Sequence, residues 1–299
     1  MTRIKFMRES TGMPISMEEI SSKAKLMSLP DLYVRLRTIL NDPNFTMGQI
    51  AELIGNDPGM SARMLKIVNS AFFGFPARIE TISRAISMLG TQQVHDLVLA
   101  TSVTKTFDGI SSDVMDMHTF WYNSVYCAVA SRLVATACNV LDSERLFVAG
   151  LLRDIGHLLM YQHEPELSEQ CMRAAEETGR PLFRVERELF GYDYAQVGAL
   201  LMRQWKLPRS LVEATELHVE PARANDHALE CGIVHIACQL TQAMATGTEV
   251  EQQVLRADPF SWSVTGLSPN ECPALYLDAE SQMGEVMAVI FPQRQRHSA

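Results

Sequence analysis

Three residues within Phe147 to Glu164 (FVAGLLRDIGHLLMYQHE) could do chemistry: Arg153, Asp154 and His157. Around them Val148, Leu151, Leu152, Ile155, Leu158 and Leu159 recur at three- and four-residue spacing, so the pattern predicts one amphipathic helix with a broad buried stripe. An ion-capable pair interrupting such a stripe, with a histidine one turn after the arginine, reads as the floor of a site. The plainer alternative is a surface Arg and Asp on the solvated side of an ordinary helix. A second group, Cys231, His235 and Cys238, shares a helix face at i, i+4 and i+7. A helix rises about 10.5 Å over seven residues, too far for both thiols to reach one ion through bonds of about 2.0–2.3 Å, so this trio is expected to be core.

The elements that must position these residues are helices. Ser16 to Glu19 and Thr46 to Gln49 are capping boxes, Asp57-Pro58 supplies an N-cap and first helical residue, and Thr81 opens a helix that Gly90 stops. Pro30-Asp31 starts a helix with Leu32, Leu36, Ile39 and Leu40 on one face, and another helix runs from Thr91. A long helix is expected within Asp113 to Val140, with Trp121, Val125, Val129, Leu133 and Val134 inward, and Ser143 is expected to cap the stretch that carries Arg153. Further helices follow at about 165–178, 181–190, 193–205, 208–218 and 226–246. Residues 247–268 read as an irregular connection to a last helix over about 269–290.

Composition bounds the partners. The chain has 299 residues, 47% of them hydrophobic, enough for a large core. A net charge of −9, with the 26 Lys and Arg scattered, works against general nucleic-acid binding. The stretch TMGQIAELIGNDPGMSARMLKIVNS imitates a helix-turn-helix, but its second helix carries just Arg63 and Lys66, too little to grip phosphates and read bases. No apolar run approaches the roughly 18 residues of a membrane span and the N-terminus lacks a secretory signal, so a cytoplasmic protein is expected. The six cysteines form no C-x-x-C pair and are expected as reduced core thiols, and the 17 Met as core filler.

Several stretches together resemble the HDOD domain, a helical relative of the HD and HD-GYP metal-dependent phosphohydrolases. They are LPDLYVRLRTIL, IAELIGNDPGMSARMLKIVNSAFFG, ISRAISMLG, FWYNSVYCAVASRLVA, FVAGLLRDIGHLLM, YDYAQVGALLMRQWKLP and HVEP with IVHIACQL, running in order from Leu29 to Leu240. The resemblance implies an all-α, two-lobed bundle. The divisions are an N-terminal extension over 1–25, a helical lobe over 26–112, an HD-like lobe over 113–246, and a connection with a C-terminal helix over 247–299.

The resemblance also implies where a metal would sit, and the ligands there are largely replaced. Asn123 stands at the first His position, Arg153 at the His of the His-Asp pair, Tyr194 at a further His and Cys238 at the late Asp, while Asp154 and His218 remain. One carboxylate and one imidazole are too few for a catalytic centre, and the fixed charge of Arg153 stands about where a metal cation would. No catalytic residue, metal or cofactor is therefore expected. The expected role is a bacterial signalling or scaffolding module acting through a protein partner or a small anionic ligand such as a nucleotide. Two outcomes stay open for the vestigial site: closure by an internal Arg153 pair, or an anion held by Arg153, Asn123 and Tyr194. The alternatives are a phosphohydrolase with an unusual site and a nucleic-acid-binding regulator. Phe72, Phe73 and Phe75 cannot share one face, so at least one is expected to anchor the joint between lobes or meet a partner.

Overall fold

Side-chain caps set where several of the helices begin. The computed structural model describes residues 14–24, 27–70, 73–107 and 114–291. In chain order the helices are α1 (Met17–Ala24), α2 (Asp31–Leu40), α3 (Met47–Gly55), α4 (Pro58–Val68), α5 (Ile82–Leu89), α6 (Thr91–Thr106), α7 (Met117–Ala137), α8 (Ser143–Leu152) and α9 (Ile155–His163). They continue as α10 (Pro165–Thr178), α11 (Leu182–Leu189), α12 (Tyr194–Gln204), α13 (Arg209–Leu217), α14 (Ala228–Thr246), α15 (Val250–Val254), α16 (Pro259–Thr265) and α17 (Cys272–Ile290). No strand occurs among the described residues. Ser16 and Glu19 exchange capping hydrogen bonds at α1, Thr46 and Gln49 do so at α3, and Asp57 and Thr81 accept from Met60 and Arg84.

Three expectations are corrected. The stretch Phe147 to Glu164 is two helices rather than one: Asp154 adopts φ −98° and ψ 6°, and the chain turns there between α8 and α9. Apolar spacing continues across the turn, which is why periodicity joins the two. Ser143 lies inside α8, whose capping position, Asp142, makes no side-chain cap bond. The long helix lies within its expected segment and opens at Asp116, whose carboxylate accepts from the Thr119 N–H; Asp113 lies outside the described residues. Residues 247–268 are not irregular, since they hold α15 and α16, each too short to give a clear period.

One hydrophobic core runs from Ile20 in α1 to Phe291. α7 is its axis, packed by α8, α14 and α17. The earlier helices join through α6 against α8, α1 against α12 and α4 against α17. Lys66 of the helix-turn-helix look-alike donates to the Ala288 carbonyl at 3.2 Å, so α17 lies beside the helix that would have read DNA. Phe73 stacks on Phe75 at 6.1 Å with the Arg132 guanidinium 5.5 Å above Phe73, which places both rings between the early helices and α7. Phe72 lies outside the described residues.

Two backbone approaches depend on glycine. A Cβ at Gly150 would lie 2.6 Å from the Cys127 carbonyl where α8 crosses α7. A Cβ at Gly156 would lie 2.0 Å from the Tyr194 carbonyl and 2.6 Å from the Gly198 nitrogen where α9 crosses α12. Both obstacles at Gly156 are backbone, so a methyl group there must part the helices. Gly156→Ala is expected to cost about 3 kcal/mol or more, beyond ordinary overpacking, in urea denaturation; a loss under about 1 kcal/mol would show that the α9–α12 crossing is pliable.

Candidate functional site

The turn between α8 and α9 brings Arg153 and Asp154 inward from opposite sides of a helix break. Arg153 is 5% exposed. Its Nη2 lies 2.7 Å from Asp154 Oδ2, and its Nη1 donates to the Gly150 carbonyl at 3.2 Å. That carbonyl belongs to the last turn of α8, where acceptors lack helical partners. Burial opposes the guanidinium charge, but Asp154 and the nearby thiols and phenol outweigh it and raise its pKa. It is a permanent cation neutralised in place.

Tyr194, the first residue of α12, lies close enough for its phenol to feel both charges. Burial first, then Asp154, raise its pKa, so it stays a protonated donor. Its hydroxyl donates to His218 Nε2 at 3.0 Å, while His218 Nδ1 donates to the Thr215 carbonyl at 2.7 Å. This tautomer follows from the partners, because a carbonyl only accepts. Burial lowers the His218 pKa to about 4, against smaller opposing effects of Asp154 and the Thr215 carbonyl. Both imidazole nitrogens are committed and the ring is neutral.

The thiols complete the floor. Cys238 of α14 lies 4.0 Å, sulfur to sulfur, from Cys127 of α7, and both respond to Arg153 and Asp154. Burial pushes the Cys127 thiol up, but the Cys238 thiol and Arg153 outweigh it and bring it down to about 7. The Cys238 thiol is pushed up, by burial and then by Cys127, so the pair shares at most one negative charge. Asn123 lies one turn before Cys127, half-buried, with no hydrogen bond to the others among the described residues. The structure thus joins Arg153, Asp154, Tyr194, His218 and Cys238 and leaves Asn123 at their edge.

His157, expected one helical turn from Arg153, is separated from it by the break. It stacks on Tyr194 with centroids 3.9 Å apart, and its Nε2 lies 3.0 Å from Glu186 Oε1. The other Glu186 oxygen accepts from the Tyr194 N–H at 3.0 Å. His235 Nδ1 donates to the His218 carbonyl at 2.6 Å and its Nε2 accepts from the Asp258 N–H at 2.9 Å, so it is the core residue that its spacing implied. Cys231 donates to the Glu213 carbonyl at 3.5 Å. Glu186 and Cys127 escape sequence reasoning: each is one polar group on an apolar helix face, with no spacing partner nearby in the chain.

A divalent metal does not fit these donors. Asp154 is held by Arg153, His218 Nε2 by the Tyr194 hydroxyl, and His235 by backbone groups on both nitrogens. No group of three or more His, Cys, Asp or Glu side chains is placed to hold a metal ion among the described residues. A hard cation would also have to displace a guanidinium.

A family profile described as the HDOD domain matches residues 26–221. A crystal structure from Shewanella amazonensis SB2B, provisionally named a phosphohydrolase, is 26% identical, covers 91% of this chain and 96% of its own, and superposes with a TM-score of 0.69. An HDOD domain protein of unknown function from Geobacter sulfurreducens has 21% identity, 97% coverage of both chains and a TM-score of 0.68. A Marinobacter aquaeolei VT8 structure, provisionally named a signal transduction protein, shares 21% identity over 94% of this chain and 62% of its own, with a TM-score of 0.68. An uncharacterized Treponema pallidum (strain Nichols) protein is 22% identical over 191 residues, 64% of this chain and 37% of that protein. The chain therefore spans little more than a third of that relative's length. No helix among the described residues is long and apolar enough to cross a membrane.

The buried histidines carry a pH signature. The His218 pKa, about 4 in the folded state, lies below the roughly 6.5 of an unfolded histidine, so the unfolded chain takes the proton first. Stability is full above that unfolded value and falls as pH drops toward the folded one. Urea denaturation between pH 7 and 5 should show a loss of about 1 kcal/mol per pH unit from this residue below about pH 6.5. His218→Gln should flatten the slope to the smaller share from His235; an unchanged slope would mean that His218 is solvated.

Proposed function

The chain belongs to the HDOD domain family, and from that premise we propose that it is a non-enzymatic signalling or scaffolding module of a bacterial cell. In this reading the ancestral hydrolase centre is closed. The observation that carries it is the ion pair of Arg153 with Asp154 at 2.7 Å, a fixed cation spent on the carboxylate that a hydrolytic metal would need. Without a metal the site has no means of bringing a water near a pKa of 7, and neither neutral His218 nor protonated Tyr194 replaces it. Function then falls to surfaces and clefts that present the bundle to a protein partner or small anion, in the cytoplasm.

The rival is a metal-dependent phosphohydrolase with an unusual ligand set, a reading that the provisional name of the Shewanella structure favours. Closure and hydrolysis separate cleanly. Protein incubated with Mn2+, Fe2+ or Zn2+ and then desalted should retain no stoichiometric metal and should leave phosphodiesters and cyclic dinucleotides intact. Stoichiometric metal together with turnover would sink the proposal.

Closure also has a thermodynamic signature. Arg153→Met strands a largely buried carboxylate and should cost about 3–5 kcal/mol. Arg153→Met with Asp154→Leu, which removes both charges, should recover most of that loss. Neither protein should respond to millimolar phosphate at this centre. If Arg153→Met alone were as stable as wild type, Arg153 would not be closing the site.

A further inference from the structure

A second polar centre lies away from the Arg153–Asp154 pair. A cleft of about 540 Å³ opens between α2, the start of α6 and the turn joining α12 to α13, with Tyr33, Arg37, Leu40, His95, Lys206 and Pro208 among its lining residues. None of its lining residues is acidic. Neither Arg37 nor Lys206 forms an ion pair with a carboxylate among the described residues. Arg37 is anchored, since its Nη1 donates to the Trp205 carbonyl at 2.7 Å, one residue before Lys206.

The floor is a buried polar chain. The Tyr33 hydroxyl lies 3.0 Å from His95 Nε2, and His95 Nδ1 lies 2.8 Å from Asp96 Oδ1, which also accepts from Gln92 at 3.0 Å. Asp96 can only accept, so Nδ1 carries the proton and the tyrosine donates to Nε2. Burial raises the Tyr33 pKa, so its phenol is a fixed donor rather than a nucleophile. The arrangement orients and binds; it has no activated attacking group.

Lys206 supplies an independent sign. α12 ends with the Lys206 N–H donating to the Arg203 carbonyl and the Leu207 N–H to the Met202 carbonyl, the double bond of a left-handed helix stop. Lys206 has φ 56°, a conformation that glycine adopts without strain, and the other positive-φ non-glycine among the described residues is an asparagine, Asn139. A lysine where glycine would relieve strain costs backbone energy and places a cation in the lining of the cleft.

We propose that this cleft binds a phosphate monoester of nucleotide size. A monoester presents several acceptor oxygens and about −1.5 to −2 of charge to Arg37 and Lys206 together, more than one carboxylate offers, while Asp96 beneath the floor is held by His95 and Gln92. Small-molecule sites run from about 300 to 1,000 Å³, so the cleft has room for an organic group against Leu40 and Pro208 beside the phosphate. The ligand would touch α2 and α6 on one side and the α12–α13 turn on the other, which gives its presence a route to the relative position of the two halves. The proposal stands whether or not the Arg153–Asp154 centre is inert.

Calorimetry in about 50 mM salt, where phosphate contacts are least screened, tests it with the four common nucleoside 5′-monophosphates, their nucleosides and inorganic phosphate. At least one monophosphate should bind roughly tenfold or more tighter than inorganic phosphate or its own nucleoside. Lys206→Gly should weaken that binding roughly tenfold while raising the melting temperature of the ligand-free protein by about 1–3 °C. Arg37→Gln should abolish binding; it also loses the Trp205 carbonyl bond, so the glycine variant, which keeps the fold, decides. The proposal is overturned if no monophosphate binds wild type or if Lys206→Gly binds as well as wild type. Inorganic phosphate binding as tightly as every ester would overturn the ester assignment.

Discussion

A buried guanidinium must be neutralised, and that constraint organises the centre of this protein. Arg153 meets it through Asp154, and the two can meet because the helix stops between α8 and α9. Once Asp154 is engaged, the neighbouring polar groups satisfy one another. Tyr194 donates to His218, His218 to the Thr215 carbonyl, and Glu186 receives both His157 and the α12 backbone. One oxygen of Asp154 is held by Arg153 and His218 Nε2 accepts from Tyr194, so two of the donors a metal could use are engaged within the protein.

Local chemistry was the legible part of the fold. Capping boxes at Ser16 and Thr46, the Asp57-Pro58 step, and glycine stops act within one turn, so they mark helix ends without tertiary knowledge. The break at Asp154 was not legible, since the apolar spacing runs on across it and the contacts flanking it, such as Gly156 against Tyr194 and Gly198, join residues about forty positions apart. The candidate site was legible only through likeness to a family. Arg153, Asp154, Tyr194, His218 and Cys238 come from four separate stretches of sequence, and no spacing rule connects them. The Tyr33–His95–Asp96 chain had one signal, adjacent His and Asp on the buried part of α6, but its third member lies sixty-two residues before His95.

Similarity in fold exceeds similarity in sequence here. Structures with 21–26% identity superpose over most of this chain. What such comparisons can preserve is the helix-packing pattern, which tolerates exchange of one apolar side chain for another of similar volume. Polar centres tolerate much less, because one substitution leaves a partner unsatisfied. Such superpositions therefore carry the fold, the profile match over residues 26–221 carries the family, and the chemistry depends on this chain's own residues.

The first and last described helices both lie outside the family match. α17 lies against both α7 and α4, and its Met283, Val286, Met287 and Ile290 are buried, yet all of it lies beyond residue 221, where the family match ends. α1, which packs on α12, lies before residue 26, where the match begins. The segment recognised by kinship is thus smaller than the segment that shares one hydrophobic core. A fragment cut to the kinship limits would lose the helices that cover that core at α12 and at α4 and α7.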